Sequence, residues 1–193
     1  MEDWFTTGFE SLPSGSGNFA ESLRIETGET RRVRFFEAEP FNVRRHYIMR
    51  QEGQRYFTCL EGTGEYCPLC AIVNNAAFSS FFSVIDYDEA EKDNVVKQLR
   101  FGVRAARGLM AIPAIIAATI TSCDMSITCV KRDEGTYNFI PLTDRKEIPA
   151  EFQDCEPLDH KKILVPQTRQ HLLDVVLGLT ATEENKEEDT IRF

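Results

Sequence analysis

One imidazole and three thiols fall close together in this chain: His46, Cys59, Cys67 and Cys70, the last two separated only by Pro68 and Leu69. Histidine nitrogen and cysteine thiolate are the ligands zinc takes in tetrahedral sites, and a Cys-x-x-Cys turn can supply two of the four from one knuckle. Twelve residues lie between His46 and Cys59, seven between Cys59 and Cys67, and two between Cys67 and Cys70. Gly62 and Gly64, ahead of Cys67, let the chain turn back. Redox sites also use Cys-x-x-Cys, but a thioredoxin-like arrangement gives no role to Cys59 or His46. Four protein ligands leave no open position for a catalytic water, so the expected cofactor is one structural zinc. Cys123, Cys129 and Cys155 lack ligand spacing, and Cys129, in a strand with Ile127, is expected to be a buried thiol. Neither His160 nor His171 is expected to bind metal.

These ligands need a scaffold that folds back on itself. Arg44 to Arg50 and Arg55 to Leu60 read as two strands joined by Gln51-Glu52-Gly53-Gln54, whose glycine suits a hairpin turn. Alternation puts Arg44, His46, Ile48 and Arg50 on one face and Arg45, Tyr47 and Met49 on the other. A simple hairpin then brings His46 and Cys59 toward one end of adjacent strands. Cys67 to Cys70 forms the knuckle, and Ala71 to Ala77 a short helix.

The same reading gives strands over Thr30 to Phe36 and Ser80 to Tyr87, and a strand from Val95 that passes into a helix near Arg104. Ala105 to Thr119 is helical and interrupted at Pro113. Met125 to Val130 and Thr136 to Leu142 form a second hairpin around Arg132 to Gly135. Several short strands with one intervening helix predict a mainly β fold with some α: an OB-fold-like, partly open five-stranded barrel over 29–142, with a zinc-binding subdomain inserted at about 44–77. Residues 1–28 are read as a mobile lead-in, with Trp4, Phe5 and Phe9 as a docking patch or the cover of a core edge. A C-terminal extension over 143–180 carries an amphipathic helix from Thr168 to Leu179. Residues 181–193 are acidic, with almost nothing to bury, and are expected to be disordered.

The net charge of −9 is unevenly spread. Residues 1–28 carry −4 and 181–193 carry −3, whereas 31–57 carry +4 and 94–132 carry +5. Acid at the ends and base in the middle is the pattern of an anion-binding domain with an acidic tail. Within the basic stretches, arginine and lysine alternate with tyrosine: Arg32, Arg34, Arg44, Arg45, Tyr47, Arg50, Arg55, Tyr56, Arg100, Arg104, Lys131, Arg132 and Tyr137. Single-stranded nucleic acid is held by cations along its phosphates and aromatic faces under its bases, so these thirteen are the candidate DNA-binding residues. A solvated charged face, with the aromatics in the core, is the alternative use of the same residues. The tail ends Asp189-Thr-Ile191-Arg-Phe193, an acidic peptide closing on apolar side chains, which points to partner docking through Asp189, Ile191 and Phe193. The same acid could compete with DNA for the basic groove.

His46, Cys59, Cys67 and Cys70, embedded in arginine- and tyrosine-rich strands, resemble the zinc-containing single-stranded DNA-binding proteins of tailed bacteriophages, the T-even helix-destabilising type. The resemblance implies an OB-fold with a zinc subdomain and a groove for single-stranded DNA. It further implies an acidic tail that recruits replication and recombination proteins. The tail also resembles the acidic tips ending in Ile-Pro-Phe on bacterial single-strand-binding proteins, with Arg192 standing where proline would be. The expected function is therefore non-enzymatic coating of single strands with little sequence preference, and self-association is left open. A zinc-stabilised regulator or adaptor, binding duplex DNA or a protein through the arginine face, is the alternative. A hydrolase would need an open metal position or a clustered acid pair. No apolar run reaches the ~18 residues of a membrane span, and Met1-Glu-Asp-Trp4 lacks a basic secretory opening. A cytoplasmic setting with free thiols is expected.

Overall fold

The computed structural model describes residues 21–48, 56–73, 76–89 and 95–188, with 179–188 described by backbone alone. Among the described residues the strands are β1 (Ser22–Leu23), β2 (Thr30–Phe35), β3 (Phe41–Tyr47), β4 (Tyr56–Thr58), β5 (Ala77–Asp86), β6 (Val96–Gly102), β7 (Asp124–Lys131) and β8 (Thr136–Leu142). The helices are α1 (Pro68–Ile72), α2 (Val103–Met110), α3 (Ile112–Ile116), α4 (His160–Ile163) and α5 (Arg169–Glu188). The chain is mainly β with some helix, as expected. It divides into two compact units. Among the described residues the larger takes in 21–42 and 78–163, and the smaller 43–77 and 164–188.

In the larger unit the strands run in the order β1-β6-β5-β2-β7-β8. β2 is central, antiparallel to β5 on one side and to β7 on the other. The hairpin pairs β5 with β6 and β7 with β8 are also antiparallel. Val33 and Phe35 of β2, Phe82 and Val84 of β5, Leu99 and Phe101 of β6, and Met125 and Ile127 of β7 fill one core. α2 closes it with Ala105, Ala106 and Leu109, and presents Arg104 and Arg107 to water. β6 and β8 approach through side chains: the Phe101 ring lies 5.2 Å from Tyr137 and 5.4 Å from Phe139, both edge-on. The β7–β8 turn closes at Gly135, whose φ of 61° most residues avoid.

The second hairpin and the strand–helix passage at β6–α2 fall where the sequence places them. Three elements differ. The end of the lead-in is ordered: β1 pairs parallel with β6, and Leu23 and Ile25 are buried. Leu23 and Ile25, two positions apart, tie this short edge segment into the main core. The first helix begins at Pro68, inside the knuckle rather than after it, because proline is tolerated at a helix start where no amide bond is required. α5 continues past Leu179 to Glu188. Ala181 and the Glu/Lys run that follows are good helix formers, so backbone helicity outlasts the apolar stripe.

The extension after β8 also divides. Residues 143–163 belong to the larger unit, where Arg34 anchors them. Its guanidinium donates to the Arg145 carbonyl at 3.2 Å and the Lys146 carbonyl at 2.8 Å, and pairs with Asp124 at 3.2 Å. Phe152 then packs with Ile85, Val95 and the Tyr87 ring. Residues 164–188 belong to the smaller unit.

Candidate metal centre and basic-aromatic surfaces

The smaller unit is built around the four ligands. In the β3–β4 ladder His46 lies opposite Phe57, and the amide of Cys59 continues the pairing by donating to the Arg44 carbonyl at 2.8 Å. His46, Phe57 and Cys59 therefore share the buried face, while Tyr47 and Tyr56 share the other. A 3-10 turn over Leu60–Thr63 ends at Gly64, whose φ of 84° turns the chain back toward Cys67. Cys67 caps α1, its carbonyl accepting from the Cys70 amide at 3.2 Å, so both knuckle thiols point to one place.

The ligand atoms all lie within 4.8 Å of one another. His46 Nε2 is 3.5 Å from Cys67 Sγ and 3.4 Å from Cys70 Sγ, and Cys59 Sγ is 3.5 Å from Cys70 Sγ. A tetrahedron with Zn–S near 2.3 Å and Zn–N near 2.0–2.1 Å has S···S edges of about 3.8 Å and N···S edges of about 3.6 Å. The cage is thus the size a four-coordinate ion requires. His46, Cys59 and Cys67 are buried and Cys70 is partly so. All cysteines are free thiols, so no disulfide competes for these sulfurs. Burial is the main cause that pushes the Cys59 and Cys70 thiols upward. Glu61 and the other thiols add to it at Cys70, whereas at Cys59 hydrogen bonds with the Glu61 backbone and Cys70 offset part of it, so a bound cation is what would favour their thiolates here. The group can hold a metal ion.

An apolar shell encloses it: Ile48, Phe57, Leu60, Leu69 and Ala76, with Leu172, Val175 and Val176 from α5. The amphipathic helix read from the sequence therefore packs on the metal knuckle of its own chain. Arg169 at its start lies over the Tyr66 ring at 5.5 Å.

The candidate DNA-binding residues fall into two sets. In the smaller unit, Tyr47 and Tyr56 stand opposite each other across the ladder, ring centroids 5.0 Å apart. Tyr47 is 46% exposed. The Arg45 guanidinium lies 5.1 Å over the Tyr56 ring, and exposed Arg44 pairs with Glu61 at 3.3 Å. Arg50 and Arg55 lie outside the described residues, as do the turn at 51–54, Trp4, Phe5, Phe9, Asp189, Ile191 and Phe193.

In the larger unit, Arg104 and Lys131 both face Glu134, at 3.7 and 2.9 Å, and Arg132 pairs with Glu26 at 2.7 Å. Arg100 is exposed, and Tyr137 is half-buried against Phe101. Arg32 lies over the Tyr87 ring at 4.9 Å. Arg34 is buried and committed to Asp124 and the 145–146 carbonyls, so it faces no groove. Lys97, part of the same basic stretch, is also buried, between Glu21 and Glu89.

Sequence reasoning passed over a further polar group in the larger unit, Glu37, Ser83, Gln98 and His160. Only the apolar residues at consecutive positions of β5, Phe81-Phe82 and Val84-Ile85, hinted that something covers its second face. Comparison of the chain with family models, with curated proteins and with solved structures returns no match.

Proposed function

We propose that this chain is a non-enzymatic, zinc-stapled single-stranded DNA-binding protein of the phage helix-destabilising type, which coats exposed strands during replication, recombination and repair. The observation that carries this reading is the two-faced hairpin of the smaller unit. One face buries His46 and Phe57 against the metal cage; the other holds Tyr47 and Tyr56 side by side with Arg45 over one ring. Tyr47 is exposed and Tyr56 half-buried beside it, and neighbouring aromatic rings with a guanidinium next to them are what bases stack on and phosphates approach. Zinc fits the His/Cys3 donor set, and its closed coordination gives it a structural role.

The strand order supports an OB-type barrel. β2, β5, β6, β7 and β8 would be its five strands, with α2 and α3 between the third and fourth. On that reading the metal unit is an insertion between barrel strands one and two, and the Arg132–Gly135 turn joins strands four and five. Those two connections, with the face of strands two and three, are where OB-folds take oligonucleotides. Asp189, Ile191 and Phe193 would recruit replication and recombination proteins.

The pairing of Arg104, Lys131 and Arg132 with Glu134 and Glu26 favours a second reading, an adaptor whose basic face meets a protein or duplex. Fluorescence titration with a labelled dT oligomer and a duplex of equal length separates the two. Single-strand preference is expected, with affinity falling steeply with salt, by about 0.7 in log–log slope per neutralised phosphate. Equal or tighter duplex binding, or a flat salt response, refutes the single-strand reading.

A further inference from the structure

The second face of β5 and β6 is covered by the chain's own residues 150–163, and the cover is held there in an unusual way. Between these residues its backbone bonds are made locally: Phe152 to Pro149, Cys155 to Phe152, Lys162 and Ile163 to Asp159. It reaches the sheet through side chains, and the Leu158 amide donates to the Ser83 hydroxyl at 3.0 Å. A segment attached by side chains rather than by a strand ladder can lift without breaking the sheet.

At its centre His160 is buried and held as a protein holds a nucleobase. Its ring stacks on Phe41, centroids 5.8 Å apart and 23° from parallel, with Phe81 tilted at 6.4 Å. Both ring nitrogens have partners in the sheet or beside it. Nδ1 is 3.3 Å from Gln98 Nε2, and Nε2 is 3.1 Å from Ser83 Oγ and 3.6 Å from a Glu37 oxygen. The bonding assigns the tautomer. Ser83 spends its one hydroxyl hydrogen on Glu37 at 2.6 Å, so it can only accept from His160, and Nε2 carries the proton. Gln98 then donates to a bare Nδ1. Beside the ring opens a cleft of about 310 Å³ lined by Glu37, Glu39, Phe41, Leu158 and Lys161.

We propose that this pocket is a nucleobase subsite, filled in the free protein by His160 of the same chain, and that a pyrimidine of a bound single strand replaces the imidazole. The partners suit a one-ring base. Gln98 offers an amide donor to a ring carbonyl or nitrogen, Ser83 a hydroxyl, and Glu37 an acceptor for a ring N–H or exocyclic amine. The inference rests on the single-strand reading above, in which β5 and β6 are the barrel strands that face the ligand.

The test uses the full chain with zinc bound, titrated with dT and dA oligomers of one length at fixed salt. Removing the internal competitor by His160→Ala should tighten dT binding, by about tenfold if the cover is closed nine-tenths of the time, and dA binding by less. Unchanged or equal gains overturn the subsite. Because the variant could loosen the fold, hydrogen exchange of the wild-type chain is measured alongside. Saturating dT should raise exchange in 150–163 while β2, β5 and β7 stay protected. A wild-type chain that binds dT with its cover still protected refutes the subsite alone; one that binds no dT refutes the single-strand reading and the subsite with it.

Discussion

Chelating the metal should unfold the smaller unit and leave the larger one standing. The apolar shell of the cage draws three residues from α5, Leu172, Val175 and Val176, and each such side chain contributes about 1.5–3 kcal/mol when fully buried. That is at most about 9 kcal/mol before chain entropy, and a core this small nets no more than about 3–5 kcal/mol. A structural zinc contributes on the order of 10 kcal/mol or more. The metal term therefore decides whether the unit folds, and without it Cys59, Cys67 and the imidazole of His46 lose the reason for their burial. Timed thiol labelling reads this residue by residue. In the loaded protein, half-exposed Cys155 should react first, and Cys59, Cys67 and Cys70 slowly. After chelation those three should react at the rate of unfolded thiols, while Cys123 and Cys129, buried in the larger unit, stay silent. Persistent protection of the three after metal loss would refute the claim that the metal organises the unit. Simultaneous exposure of Cys129 would refute the independence of the two units.

Three other outcomes follow from the larger unit. Arg34→Met leaves Asp124 buried without its cation and frees the 145–146 carbonyls, so urea denaturation should show a loss of about 3–5 kcal/mol; a loss below 1 kcal/mol would mean the pair is solvated. Glu134→Gln releases both Arg104 and Lys131, and should tighten single-strand binding at low salt with little change at high salt; weaker binding would place those cations outside the DNA path. Burial works to raise the Glu37 carboxyl, but hydrogen bonds from His160 and Ser83 outweigh it and hold the group below the usual carboxylate range. Its contribution is therefore complete above the unfolded value of about 4.3 and is lost as pH falls through the folded one. The stability gap between wild type and Glu37→Gln should narrow from about pH 6 to about pH 3; a constant gap would contradict the assignment.

The metal ligands were legible in the sequence because donor type and spacing are local properties, and one hairpin and one knuckle are enough to gather them. The β7–β8 hairpin and the β6–α2 passage were legible for the same reason. What escaped depends on distant partners. Arg34 and Lys97 look like surface cations in their own strands, yet Arg34 meets Asp124 and the 145–146 carbonyls, 90 and more positions away. His160 sits in a polar stretch beside Asp159 and Lys161, with nothing nearby to announce Ser83 and Gln98. The helix at α5 was visible from its apolar stripe, but a stripe does not say what it will cover. Leu23 and Ile25 were lost in a Gly/Ser-rich lead-in whose composition outweighed two apolar residues.

The central claim is that the hairpin turns one face to the metal and offers the other to bases. Affinity for a dT oligomer, measured for Tyr47→Ala and Tyr56→Ala with zinc content confirmed equal to wild type, tests it most directly. Each loss of a stacking ring should cost about 1–3 kcal/mol, or roughly 5- to 150-fold in Kd. Two variants that keep both their metal and their wild-type affinity would contradict it.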